Sequence, residues 1–174
     1  GSVIRMLEDF IGENTFRSGI REYIKKHMYG NATTEDLWKA LSKASKIDIK
    51  TMMQGWIEQT GYPVIHVSSN GDRVLQRRFL LLGSDTKQQW HIPLKILTHA
   101  GIETTIIKTP SARINTRKTI KLNAGHTGFY RVAYDTAMLE SLKKRVSSQT
   151  LDEADRWGIQ GDLFALCRAS KELF

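Results

Sequence analysis

The chain has 174 residues, 26 Lys+Arg against 18 Asp+Glu and a formal charge of +8. Its 40% hydrophobic and 25% charged residues match an ordinary packed domain, which excludes disordered, collagen-like and membrane-spanning classes. No apolar run reaches the roughly 18–20 residues of a membrane span, no secretory leader pattern opens the chain, and the single Cys167 rules out an internal disulfide framework, so a soluble, cytoplasmic protein is expected.

The opening stretch, Val3 to Ile11, is apolar at Val3, Ile4, Met6, Leu7, Phe10 and Ile11, too broadly for a surface helix. Helical spacing continues at Phe16, Ile20, Tyr23 and Ile24, at Leu37, Trp38 and Leu41, and at Ile49, Met52, Met53, Trp56 and Ile57. Thr33 and Asp36 have the spacing of a capping box, Asp48 suits a helix N-cap, and Gly61-Tyr62-Pro63 ends the helical run. From there the period shortens to six strand-like runs: Val64 to Val67, Val74 to Leu82, Ile92 to Leu97, Thr104 to Ile107, Thr119 to Leu122 and Gly128 to Tyr134. Turn residues separate them at 69–72, 83–85, 100–101 and 123–125, the pattern of an antiparallel sandwich or barrel. After Asp135 the helical period returns at Met138, Leu139, Leu142 and Val146, then from Ala154 to Cys167 behind the acidic start Asp152-Glu153.

The expected fold class is therefore α+β: a helical segment (1–60), an antiparallel β-sandwich (61–135) and a second helical segment (136–174). The charge is unevenly spread, since residues 61–135 carry 11 basic and 4 acidic side chains, +7 of the total +8. A chain that opens and closes on apolar helices reads as a piece of something larger.

Catalytic motifs are missing. There is no H-E-x-x-H, and no two of His27, His66, His91, His99 and His126 stand a helical turn apart. G-x-S-x-G and G-x-x-x-x-G-K are absent, and Cys167, near Phe164 on a helical pattern, reads as a small core residue rather than a nucleophile. Glu8 and Asp9 are adjacent and face apart, so they form no acid/base pair. Arg73, Arg77, Arg78, Arg113, Arg117, Lys118 and Lys121, with Phe79 and Trp90, supply the ingredients of a sheet that binds single-stranded nucleic acid. Consecutive Arg77 and Arg78 point to opposite faces, however, which favours a solvated basic face or a seam against an acidic partner.

Several blocks carry a resemblance. Ser2-Val3-Ile4-Arg5-Met6-Leu7, Asn31-Ala32-Thr33-Thr34-Glu35-Asp36-Leu37-Trp38, Trp56-Ile57-Glu58-Gln59-Thr60-Gly61-Tyr62-Pro63-Val64, Gln76-Arg77-Arg78-Phe79 and Trp90-His91-Ile92-Pro93-Leu94 precede two further blocks, residues 128–134 and residues 155–166. In this order they resemble the zinc aminopeptidases of the aminopeptidase N and puromycin-sensitive aminopeptidase family, which are gluzincin metallopeptidases. The resemblance implies the last helices of a thermolysin-like catalytic domain (1–60), the β-sandwich (61–135) and the start of a helical C-terminal domain (136–174). It implies a non-catalytic middle fragment and structural linker, whose parent hydrolyses N-terminal residues from peptides with zinc. The family's zinc-binding H-E-x-x-H, its G-x-M-E-N segment and its oxyanion tyrosine have no counterpart here, so no catalytic, metal or substrate-binding residue is assigned within the chain. Expected partners are the remaining domains of the parent, peptide substrates for the parent and self-association through exposed former interfaces, without a membrane. A stand-alone basic β-sandwich binding nucleic acid or glycan is the alternative.

Overall fold

The computed structural model describes residues 2–68, 72–81, 88–114 and 118–169. The chain divides into two compact units, one ending at Thr60 and the other beginning at Gly61. The first holds four helices: α1 (Ser2–Ile11), α2 (Glu13–His27), α3 (Thr34–Ser45) and α4 (Ile49–Ile57). Gly12, at φ 86°, makes the bend between α1 and α2, a conformation that a residue without Cβ enters at little cost. Thr33 caps α3 in the full reciprocal box: its hydroxyl accepts from the Asp36 N–H, and the Asp36 carboxylate accepts from the Thr33 N–H. Asp48 caps α4 by accepting from the Thr51 N–H at 3.1 Å. Met6, Leu7, Trp38, Leu41, Ile49, Met52, Met53 and Trp56 are buried. Gly19 lets α2 approach α3, because a Cβ there would lie 2.8 Å from Leu41 Cδ2. The broad apolar stripe of α1 is buried only at Met6 and Leu7, with Val3, Ile4, Phe10 and Ile11 half-buried.

The second unit contains two sheets. Strands β1 (Pro63–Val67), β2 (Arg73–Arg78), β5 (Ser111–Arg113) and β7 (Arg131–Ala133) form one, in the order β5-β2-β1-β7. Strands β3 (Ile92–Thr98), β4 (Gly101–Ile107) and β6 (Thr119–Leu122) form the other, in the order β4-β3-β6. The mixed α+β class is as expected, but two features differ. β5 belongs to no apolar run, because its Ser-Ala-Arg sequence carries no alternation to read. And β7 pairs with β1 in parallel, Val64 opposite Arg131, because the chain passes through the other sheet before returning. The observed β7 is also shorter than the expected Gly128 to Tyr134 run, and β4 starts earlier, at Gly101. The expected turns at 69–71 and 83–85, the strand end at Leu82 and Arg117 lie outside the described residues.

Ile65, Val67, Val74, Ile92, Leu94, Ile96, Ile107 and Val132 supply the buried apolar side chains of the sheets. Gln76 cross-links them in the interior: its amide donates to the Thr109 and Trp90 carbonyls at 2.8 and 3.1 Å, and its oxygen accepts from the Trp90 N–H at 2.9 Å. This satisfies three of its four hydrogen-bonding positions away from water. Helices α5 (Thr136–Ser147) and α6 (Glu153–Ala169) follow, with Leu142, Leu151 and Ile159 forming a cluster against Leu97, Ile120, Tyr134 and Val146. No helix among the described residues is long and apolar enough to cross a membrane.

Candidate functional site

Strand β6, the turn after it, β7 and α6 meet in a buried ionic junction. Lys121 was expected on a basic surface, yet it is only 2% exposed. Its ammonium donates to the Leu122 and Asn123 carbonyls at 2.9 and 2.7 Å and pairs with Asp155 Oδ1 at 2.9 Å. Three donors thus meet three acceptors, the condition under which a buried lysine is tolerated. Burial pulls the Lys121 pKa below its ordinary value, with the Asp155 charge opposing the shift. Asp155 also accepts from the Gly125 N–H at 2.7 Å, which ties the start of α6 to the turn after β6.

That turn depends on backbone conformations that few residues adopt. Asn123 sits at φ 54° and Gly125 at φ 70°. The Asn123 side chain holds the turn closed by donating to the Gly128 and Tyr130 carbonyls and accepting from the Gly128 N–H. Gly158 of α6 then rests on the His126 ring, so closely that a Cβ would fall 2.6 Å from Nδ1. Burial of its inner side lowers the His126 pKa, while the Asp162 charge pulls it upward.

One turn further along α6, Asp162 is 4% exposed. One of its oxygens accepts from Arg131 Nη1 at 3.1 Å, and the other from the Val132 N–H at 3.0 Å. Burial raises the Asp162 pKa, and these donors partly offset the rise. Arg131 also donates to the Gly161 carbonyl and to the Tyr62 hydroxyl, and its guanidinium lies 5.8 Å from the ring centres of both Tyr62 and Phe79. Tyr62 stacks on Phe79 with centroids 5.1 Å apart and tilts against Phe129. Tyr62, the second residue of this unit, is therefore tied through Arg131 to α6. Tyr134, whose pKa is raised well above the ordinary value by desolvation, closes the junction by exchanging hydrogen bonds with Leu122.

The buried stripe of α6 is Asp155, Gly158, Ile159 and Asp162, the i, i+3, i+4, i+7 set of one helix face. The two aromatic residues of the helix point the other way: Trp157 is 75% and Phe164 66% exposed. Cys167 is exposed as well, which corrects its reading as a core residue. The period of α6 is legible, but polarity assigns the wrong face, because the aspartates are buried by partners on distant strands. Trp157, Leu139, Val146, Ile159 and Leu163 line an open groove of about 840 Å³ between α5 and α6. Trp90 and Phe79, read as nucleic-acid ingredients, lie instead in the interior and in the Tyr62 stack.

Among the described residues, no group of three or more His, Cys, Asp or Glu side chains is placed to hold a metal ion. The junction binds elements of the fold to one another, and it presents neither a nucleophile nor an acid/base pair to a cavity. Arg131, Val132, Tyr134, Asp155, Gly158 and Asp162 of the junction fall within the sequence blocks at 128–134 and 155–166, whereas Lys121, Asn123 and His126 lie outside them.

Comparison with known proteins agrees with these blocks. Residues 1–56 match the peptidase family M1 domain, and residues 119–172 match the ERAP1-like C-terminal domain. The chain is 39% identical over 166 residues to Tricorn protease-interacting factor F2 of Thermoplasma acidophilum, covering 94% of this chain and 21% of that protein. It is 40% identical over 169 residues to probable M1 family aminopeptidase 1 of Encephalitozoon cuniculi, covering 95% and 19%. Against the puromycin-sensitive aminopeptidase of Caenorhabditis elegans the identity is 35% over 187 residues, covering 98% and 20%. The chain spans about a fifth of the length of these relatives. Through blocks that run from its first helix to its last, the chain belongs to the M1 peptidase family, the family of these aminopeptidases.

Proposed function

We propose that this chain is the non-catalytic middle segment of a zinc aminopeptidase, a structural linker between a catalytic and a C-terminal helical domain. The observation that carries the reading is the order of the two family matches, with the M1 domain ending at residue 56 and the C-terminal domain beginning at 119. On this reading residues 1–60 close the catalytic domain, 61–135 form the linking β-sandwich, and 136–174 open the helical domain. On this reading the zinc, which would polarise the attacking water, belongs to residues of the parent outside this chain: the sequence carries no H-E-x-x-H, and among the described residues no group of three or more His, Cys, Asp or Glu side chains is placed to hold a metal ion. Peptides are the parent's substrates, and the cytoplasm its compartment.

Gly61-Tyr62-Pro63 is the junction of this linker. Gly61, at φ 92°, lies where a Cβ would meet Arg78 Nε at 2.7 Å, and Tyr62 is clamped by Phe79, Phe129 and Arg131. Such a clamp holds the first residues of the second unit in one conformation, on the side of the junction where the sandwich begins.

Zinc content and aminoacyl-amide hydrolysis, measured on this chain and on the full-length polypeptide, test the proposal. The full-length protein should bind zinc and hydrolyse the amide, and this chain should do neither. Stoichiometric zinc and turnover in this chain, or an inactive full-length protein, would overturn it.

A further inference from the structure

The four strands of the β5-β2-β1-β7 sheet contain five arginines and neither aspartate nor glutamate. The pairing register sorts them by face. Arg78 shares the side of the buried Val74 and Gln76, whereas Arg73 and Arg77 of β2, Arg113 of β5 and Arg131 of β7 lie on the other side, with Leu75, Val64 and His66.

Arg73 stands directly opposite Arg113. The Ile114 N–H donates to the Asp72 carbonyl and the Gln76 N–H to the Pro110 carbonyl. Alternation between those two bonded pairs makes Arg73 and Arg113 a non-hydrogen-bonded pair, the closer kind, with Cα atoms about 4.5 Å apart. Like charges so placed repel. Arg77 continues the row on the same face, roughly 13 Å along the strand from Arg73. All three are exposed, and among the described residues none takes part in an ion pair. The nearest carboxylate in sequence, Asp72, accepts instead from the Ser68 hydroxyl at 3.4 Å.

Arg131 shows what this row lacks, since α6 meets it with Asp162. We propose that Arg73, Arg77 and Arg113 form a docking surface for an acidic segment of another polypeptide. Carboxylates placed on the row would relieve the cross-strand repulsion and complement a field that no acidic residue of these strands offsets. Single-stranded nucleic acid fits less well. It needs free aromatic platforms beside the cations, and the rings that flank these strands, Tyr62 and Phe79, are stacked on each other and engaged with Arg131.

The test is fluorescence anisotropy on the full chain with a labelled alternating Glu-Ser peptide and with a single-stranded oligothymidylate. The Glu-Ser peptide should bind and weaken as salt rises. Arg77→Glu and Arg113→Glu should each weaken it by about tenfold or more, while Lys25→Glu in the helical unit leaves it within about twofold. Arg113→Gln should melt no lower than the parent chain, because it removes a repulsion and no partner. Absence of peptide binding at low salt, indifference to the arginine changes, tighter binding of the oligothymidylate through the same arginines, or a lower melting point for Arg113→Gln would each overturn the proposal.

Discussion

Replacing Lys121 by Met isolates the energetics of the ionic junction. Met nearly matches the aliphatic stem of lysine but removes the ammonium, so Asp155, 3% exposed, loses its counter-charge and keeps only the Gly125 N–H. The Leu122 and Asn123 carbonyls lose a charged donor at the same time. Removing one partner of a buried pair costs about 3–5 kcal/mol, because the remaining charge stays desolvated. In a cooperative unit of this size that is a fall in melting temperature of roughly 10–20 °C. The expected readout is a lower urea midpoint with an unchanged slope, followed by circular dichroism. The double variant Lys121→Met/Asp155→Leu should regain much of the loss, since an apolar pair of similar volume carries no desolvated charge. A loss below about 1 kcal/mol for the single variant, or a double variant as unstable as the single one, would refute the account of a paired, water-excluded lysine.

Gly158→Ala should destabilise the chain by about 1–3 kcal/mol despite the better helix propensity of alanine, because the new Cβ meets His126 Cγ at 2.7 Å and Cβ at 3.0 Å. Adding His126→Ala should restore most of that loss in the same urea titration. Asp162 gives a pH dependence: its folded pKa lies above the unfolded value, so the native state binds the extra proton as pH falls through the folded pKa towards 3.8. The stability advantage of the parent chain over Asp162→Asn should therefore widen between pH 7 and pH 4.5, and a narrowing gap in urea titrations would contradict the buried-carboxylate reading. Trp157→Ser with Phe164→Ser should leave the melting temperature within about 2 °C, since both side chains are largely exposed. Light scattering across a concentration series should show less self-association for this double variant than for the parent, if the open α5–α6 face is the sticky one.

The helices and most strands were legible because their periods are local. Thr33 with Asp36 and Asp48 with Thr51 are contacts within one turn, and a reader of sequence sees both partners at once. β5 was invisible because three residues without alternation become a strand only when β2 supplies the partner. Lys121 was assigned to the surface for the same kind of reason: its burial is decided by Asp155, more than thirty residues later, and by a turn whose left-handed Asn123 offers a carbonyl to the ammonium. In α6 the signal was present as D-x-x-G-I-x-x-D at helical spacing. Hydrophobicity alone gave those positions to solvent, although a glycine between two aspartates on one face marks a close approach.

The two aspartates of α6 also act as a vernier. They stand seven residues apart, about 10.5 Å along the axis, and each is matched to one fixed cation, Lys121 or Arg131. A slip of the helix by one turn would strand both charges away from water, and a rotation would drive Trp157 or Gln160 into the place of Gly158 against His126. An apolar contact between α6 and the sheets would tolerate small sliding, whereas this arrangement admits a single setting. Any surface that seats on Trp157 and Phe164 consequently takes its angle from a lysine and an arginine on the far side of the helix.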